Sequence, residues 1–130
     1  MKRLQPEGWP RPRGYSAGVA GTGTIVFISG QVGWDSEGRF VCEDLVGQTA
    51  QALRNVLAVL AEAGGSAQHV ARLTWYVTDT SAYLASQRAL GIAYRRVMGR
   101  NYPAMSVVEV TGLMEDRAKV EIEVTALVPR

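Results

Sequence analysis

A strand with two chemically different faces lies near the C-terminal end of the chain. The segment AKVEIEVTALV, residues 118–128, alternates between apolar and polar side chains through residue 126. Because successive side chains of a strand point to opposite faces, one face carries Val120, Ile122, Val124 and Ala126. The other face carries Lys119, Glu121, Glu123 and Thr125. The apolar face must be covered, so this strand predicts a sheet with helices packed on one side.

Two segments are predicted to form those helices. The first begins at the N-cap Asp44, ends at Gly64-Gly65 and repeats its apolar residues at helical spacing. The second begins at Ser81, ends near Met98 and carries Leu84, Gln87, Gly91, Tyr94 and Met98 along one side. Glycine at position 91 costs a helix about 1 kcal/mol relative to alanine. We expect Gly91 to let this helix lie close against the sheet.

Three further segments are predicted to be strands: 24–32, 70–79 and 104–110, with a short hairpin strand at 39–41. We expect Tyr76, Met105 and Val107 to share the face without helices. That face is then half apolar, so we expect it to meet another subunit. The order of elements predicts an α+β domain with a mixed sheet and both helices on one face.

The chain of 130 residues is predicted to hold one domain, residues 15–130, after an extended arm, residues 1–14, that is rich in Pro, Gly and Arg. The net charge of +2 does not favour a nucleic-acid partner, and the arginines are expected to be mainly solvated. Cys42 is the only cysteine, which indicates a reducing compartment. With no signal-peptide core and no run of roughly 18 apolar residues, we expect a cytoplasmic protein without a membrane partner.

Few residues are available for chemistry. His69 is the only histidine, so neither a histidine-dependent triad nor a metal site is predicted, and no cofactor is expected. The glycines of residues 18–23 precede a strand and do not form a phosphate loop. Glu121 is the candidate acid because partial burial against apolar neighbours would suit it to moving protons. On spacing alone, the favoured interpretation is a rim carboxylate paired with Lys119 or an arginine.

Several motifs in order along the chain carry a family resemblance. They are Tyr15-Ser16, SGQVGWD, QTAQALRNVLAVLAEAGGS, LTWYVTD, PAMSVVEV and VEIEVTALV. From about residue 14 to residue 128 the chain resembles the Rid (YjgF) family of reactive-intermediate deaminases, also labelled endoribonuclease L-PSP. The resemblance implies a chorismate-mutase-like fold and a homotrimer whose sheets line a central barrel, with sites between subunits.

The resemblance also implies an activity. The best-known branch of the family hydrolyses enamines and imines such as 2-aminoacrylate to a 2-keto acid and ammonia. In that branch a glutamate of the final strand positions water or carries protons, which corresponds to Glu121. Tyr15, Ser29 and Gly30 correspond to residues that line the pocket, and Ser106 is a further candidate for binding substrate.

Met105 departs from that pattern. The family's best-known branch has an arginine at this position, and its guanidinium binds the substrate carboxylate. A thioether has no donor for a carboxylate, so simple 2-imino acids are unexpected substrates. Either the substrate is less anionic, or its carboxylate is bound elsewhere, for which Arg88 on the second helix is a candidate. Met105 as packing alone, and Arg88 as an exposed residue, are the alternatives.

Two functions are therefore open. The first is a hydrolase that acts on an imine or enamine other than a small 2-imino acid. The second is a non-catalytic ligand-binding or regulatory trimer. The endoribonuclease label finds little support, because the chain has neither a histidine pair for RNA cleavage nor a basic aromatic platform.

Overall fold

A mixed four-stranded sheet is the centre of the computed structural model, which describes residues 1–130. The elements in chain order are β1 Lys2–Leu4, β2 Gly18–Ala20, β3 Thr24–Gln31, α1 Leu45–Ala61, β4 Val70–Val77, α2 Thr80–Ala85, α3 Gln87–Met98, β5 Ala104–Glu109 and β6 Val120–Val128. A 3₁₀ turn, Ala67–His69, precedes β4. None of the helices has the length and apolar character needed to cross a membrane.

The sheet order is β3-β6-β4-β5. β6 is antiparallel to both β3 and β4, whereas β4 and β5 are parallel and are connected through α2 and α3. Adjacent parallel strands need such a crossover connection. The predicted α+β class with a mixed sheet is confirmed.

The helices cover the apolar face of β6, as predicted. α1 packs against α3, β6 and β3. The core residues that are fully withdrawn from solvent include Leu53, Val56, Leu60, Leu73, Val120 and Ile122. Burying side chains of this size stabilises a fold by about 1.5–3 kcal/mol each before entropy is counted, which explains the strict alternation of β6.

The first helix has the predicted ends. The Asp44 carboxylate accepts a hydrogen bond from the Gly47 amide at 3.0 Å, so it caps the helix. Gly64 follows the helix with a φ of +74°, a conformation that glycine adopts without strain. The buried Gln48 amide donates to the Arg117 carbonyl at 2.9 Å and accepts from the Lys119 amide at 2.8 Å. The start of α1 is thereby joined to the start of β6.

The second predicted helix is two helices. Asp79, not Ser81, caps α2 by accepting from the Ala82 amide at 3.1 Å. The chain leaves helical geometry at Ser86, with φ −107° and ψ 8°, and α3 begins at Gln87. The expected close packing at Gly91 is wrong: a Cβ there would have only the tip of Arg95 nearby, at 3.9 Å.

Met105 and Val107 lie on the helix-covered face. In the parallel β4–β5 pair, Leu73 is opposite Met105 and Trp75 is opposite Val107, while Tyr76 is opposite Val108. The prediction that Met105 and Val107 share a face with Tyr76 is therefore wrong. The alternation within β5 is too weak to show which side faces the core, and only its pairing with β4 decides this.

The N-terminal segment is not uniformly unpaired. β1 pairs antiparallel with β2, with Lys2 opposite Ala20 and Leu4 opposite Gly18, so the predicted arm begins with a strand. The predicted hairpin at 39–41 is reduced to one bridge, between Trp34 and Phe40. The exposed turn between them is held by Asp35, whose carboxylate accepts from the amides of Glu37 and Arg39.

Candidate functional site

A cavity of about 700 Å³ opens between α3, β5 and the segment around Tyr15. This volume lies within the range of small-molecule sites. Most of its lining is hydrophobic, and five aromatic residues contribute to it: Tyr15, Trp75, Tyr83, Tyr94 and Tyr102. The cavity therefore suits a ligand with a substantial apolar or aromatic part.

The aromatic walls are held by contacts among themselves. Tyr94 and Tyr102 stack with ring centroids 5.6 Å apart, and Trp75 and Tyr83 meet edge to face at 6.3 Å. The Tyr94 hydroxyl donates to the Asn101 carbonyl. Burial raises the pKa of both Tyr94 and Tyr83 above the ordinary tyrosine value, so both are neutral at physiological pH.

Tyr15 and Met105 are brought together at the edge of β5. The Ser16 amide donates to the Pro103 carbonyl at 2.9 Å, and the Ser16 hydroxyl donates to the Tyr102 carbonyl. These bonds attach the segment beside the edge strand and place exposed Tyr15 at the cavity mouth. Half-buried Met105 lines the same cavity and also packs against the core. Met105 therefore both packs against the core and contributes to the cavity wall.

Gly30 and Glu121 form a second cluster with Ser29. The pairing of β3 with β6 is irregular between Ile28 and Gln31, which lets the chain bulge at this point. A Cβ built on Gly30 would lie 2.5 Å from the Glu121 carboxyl carbon. Glycine is therefore required for the Glu121 carboxyl to occupy its present position. Ser29 is exposed beside it.

The two clusters lie on opposite faces of the sheet in one protomer. Glu121 is opposite Tyr76 and Met105 is opposite Leu73, and these two β4 residues point to opposite sides. Ser106 is opposite Thr74, so it is exposed on the Glu121 side and not in the cavity. The structure thus brings Tyr15 close to Met105, and Ser29 and Gly30 close to Glu121. Within one protomer these two groups stay apart.

The helix α3 supplies cavity residues that the sequence analysis did not assign. Gln87, Leu90 and Arg95 line the cavity, whereas Arg88 is exposed and is not part of the lining in the protomer. Residues 87, 91, 94 and 95 share a face by helical spacing. Position 88 is only about 20° away from position 95 by the same spacing, so spacing alone does not distinguish Arg88 from Arg95, and only the tertiary structure shows that Arg95 lines the cavity. The side predicted for this helix already held Gln87, Gly91 and Tyr94, so the same spacing could have made Arg95 a candidate beside Arg88.

Comparisons with known proteins agree with this architecture. The sequence pattern described as Endoribonuclease L-PSP matches residues 10–128. The crystal structure of YyfB from Yersinia pestis, a Rid-family protein of unknown function, superposes with a TM-score of 0.86 at 33% identity, covering 98% of each chain. This chain belongs to the Rid family. The predicted membership is confirmed.

Two further Rid-family relatives have informative names. The 2-iminobutanoate/2-iminopropanoate deaminase of Salmonella typhimurium is 34% identical over 105 residues, which is 81% of this chain and 80% of that protein. The structure of Escherichia coli TdcF with bound serine has a TM-score of 0.69 at 29% identity, covering 98% of this chain and 99% of that chain.

Proposed function

We propose that this Rid-family chain hydrolyses a reactive imine or enamine other than a simple 2-imino acid and releases ammonia. The single observation that carries the proposal is the position of Met105. An apolar side chain lines the cavity where the family resemblance leads one to expect a guanidinium. The similarity to an imine deaminase supports the reaction type.

The chemistry requires one acid–base group. Water adds to the C=N carbon and its proton is removed; the resulting carbinolamine then loses its nitrogen as ammonia and becomes a carbonyl compound. A carboxylate such as Glu121 can accept the proton from water and return it to the departing nitrogen. The hydrolysis consumes one water for each ammonia and needs no redox partner.

In this proposal the site is completed between subunits of a homotrimer. Within one protomer the sheet separates Glu121 from the cavity, so the carboxylate would serve the cavity of a neighbouring subunit. The Glu121 face exposes large apolar side chains, with Phe27 78% exposed and Ile25 57% exposed. Exposed apolar surface of this kind is typical of a protein–protein interface.

The proposal is tested by measuring ammonia release from imines that an amino-acid oxidase generates from a panel of amino acids. We expect faster hydrolysis of imines with bulky apolar side chains than of 2-iminopropanoate. Glu121→Gln keeps the size of the side chain and removes the acid, so it should abolish the excess over the spontaneous rate. Wild-type protein that accelerates none of the imines would refute the proposal.

A non-catalytic ligand-binding trimer is the second candidate. The serine bound to TdcF supports it, because that protein of similar fold holds an intact amino acid. Binding of a ligand without accelerated ammonia release, and without an effect of Glu121→Gln on the release rate, would favour this function.

A further inference from the structure

We infer that Arg95 is the anion-binding residue of the cavity, and that the ligand it selects is a carboxylate attached to an aromatic or bulky apolar group. The inference deepens the proposed function, on which it rests for the reaction, by specifying the substrate class. It assigns to Arg95 the positive charge that Met105 does not provide.

The position of the guanidinium is the first support. A Cβ built on Gly91 would lie 3.9 Å from Nη1 of Arg95, and apart from the backbone of its own helix no other non-neighbouring atom comes within 4 Å. The Arg95 side chain thus extends back over Gly91, as helical side chains lean towards the N-terminus. Gly91 has no side chain, so the guanidinium can lie over this turn of α3 at the cavity wall.

The charge balance of the cavity is the second support. Arg13 and Arg95 line it, and no aspartate or glutamate does. The two ion pairs of the protomer join Arg39 to Glu37 and Arg117 to Glu43, so neither lining arginine has a carboxylate partner. A guanidinium offers a fork of donors that matches a carboxylate in two hydrogen bonds. Both arginines are exposed, so an anionic ligand that enters the cavity would replace water as their partner.

The aromatic lining of the cavity indicates which group the ligand carries beside its carboxylate. Two aromatic pairs, Tyr94 with Tyr102 and Trp75 with Tyr83, contribute rings to the walls. A three-carbon imino acid would leave most of a cavity of about 700 Å³ unfilled. An aryl group would instead pack against these rings, and aromatic pairs are attracted beyond the effect of the area that they bury.

Arg95 is better placed for this role than the other arginines. Arg88, Arg95 and Arg96 are all exposed on this helix, but only Arg95 lines the cavity. Arg13 lines the cavity from the irregular segment before Gly14. We expect it to add to the positive electrostatic potential in the cavity without holding the ligand carboxylate in one position. A side chain on a regular helix is held more precisely than one on a loop.

The test is calorimetric titration of the whole protein with 3-phenylpropanoate and with 3-phenylpropanamide, which share a skeleton and differ in charge. We expect the wild type to bind the carboxylate more tightly. Arg95→Gln should weaken carboxylate binding by about ten- to a hundredfold and leave amide binding unchanged. Arg96→Gln, the matched control, should change neither, and Arg95→Lys should restore part of the carboxylate preference.

Two results would overturn the inference. One is an unchanged carboxylate-to-amide ratio in Arg95→Gln with an unchanged melting temperature. The other is wild-type protein that shows no preference for the carboxylate. Because titration measures binding without turnover, a protein that binds through Arg95 but hydrolyses no imine refutes only the proposed reaction. Imine hydrolysis with Arg95-independent binding refutes only this inference.

Discussion

Met105 and Glu121 lie on opposite faces of the same sheet. Their partners on β4 are Leu73 and Tyr76, which are three residues apart and therefore point to opposite sides. The cavity side chain and the candidate acid are thus separated by the backbone of the sheet. A single protomer does not bring the acid to the cavity, so in the proposed function a second copy of the chain would supply it.

We predict that the protein sediments with a mass three times the 14.1 kDa of one chain. Phe27→Glu should dissociate the trimer, because a charge buried at an interface without a partner is costly. Met114→Glu is the matched control, since Met114 is 98% exposed in the loop between β5 and β6 and is not part of the sheet. A wild-type protein that stays monomeric at micromolar concentration would contradict the shared site.

Met105→Arg should improve the hydrolysis of 2-aminoacrylate and 2-iminopropanoate. A charge-assisted pair with the substrate carboxylate contributes about 1.5–3 kcal/mol, so kcat/KM should rise by roughly tenfold or more. Met105→Leu, which remains apolar, is the control. If Met105→Arg leaves the rate with these small substrates unchanged, the missing guanidinium does not limit their hydrolysis.

Gly30→Ala should impair the reaction without unfolding the protein. The new Cβ would collide with the Glu121 carboxyl at 2.5 Å, and the flexible end of that side chain can move away. A displaced carboxylate should lower kcat by about a hundredfold. Gly112→Ala introduces the same methyl group where nothing lies within 4 Å, and it should leave the rate unchanged. If the two variants hydrolyse the substrate at equal rates, the position of the Glu121 carboxylate does not affect catalysis.

Gly91→Ala should stabilise the protein. Alanine favours a helix interior by about 0.8–1.0 kcal/mol over glycine, and the new methyl group has only the tip of Arg95 nearby, at 3.9 Å. Gly65→Ala should destabilise instead, because its Cβ would lie 2.7 Å from Leu60 and 2.9 Å from Val128. Urea unfolding at one protein concentration measures both changes, and a loss of stability in Gly91→Ala would show that this position is tightly packed.

The free energy of unfolding should fall above about pH 10, in part through Tyr94. Burial raises the pKa of Tyr94 in the native state, so in this range the native state retains a proton that the unfolded chain has lost. Each such tyrosine lowers the free energy of unfolding by about 1.4 kcal/mol per pH unit until the pH reaches its native pKa. The stabilisation is fully present at lower pH.

Tyr94→Phe should therefore give a shallower alkaline slope in urea unfolding between pH 9 and pH 11.5. At neutral pH the variant should lose about 1 kcal/mol, because the hydrogen bond to the Asn101 carbonyl is removed. Tyr76 and Tyr83, whose pKa values are also raised, retain their contribution in the variant. An identical slope in wild type and variant would contradict the assignment to Tyr94.

The helix and strand signals that are local in the chain were sufficient to predict much of this fold. The alternation of residues 118–126 predicted β6 and its helix-covered face, and Asp44 and Gly64 marked the ends of α1. The same local signals failed at Ser86, where one predicted helix is divided in two. The candidate pair Tyr15 and Met105, and the candidate group Ser29, Gly30 and Glu121, each came together in the structure.

Only the tertiary structure decided which candidates share a face. The pairing of Leu73 with Met105 turned Met105 to the helices, and the contact of Gly30 with Glu121 depends on a bulge opposite β6. Arg95 lines the cavity because α3 and β5 contribute to the same cavity walls, although they are separate segments of the chain. Periodicity determines that a strand has two faces, but its register with distant strands determines where each face points. That register is set by packing between segments far apart in the chain.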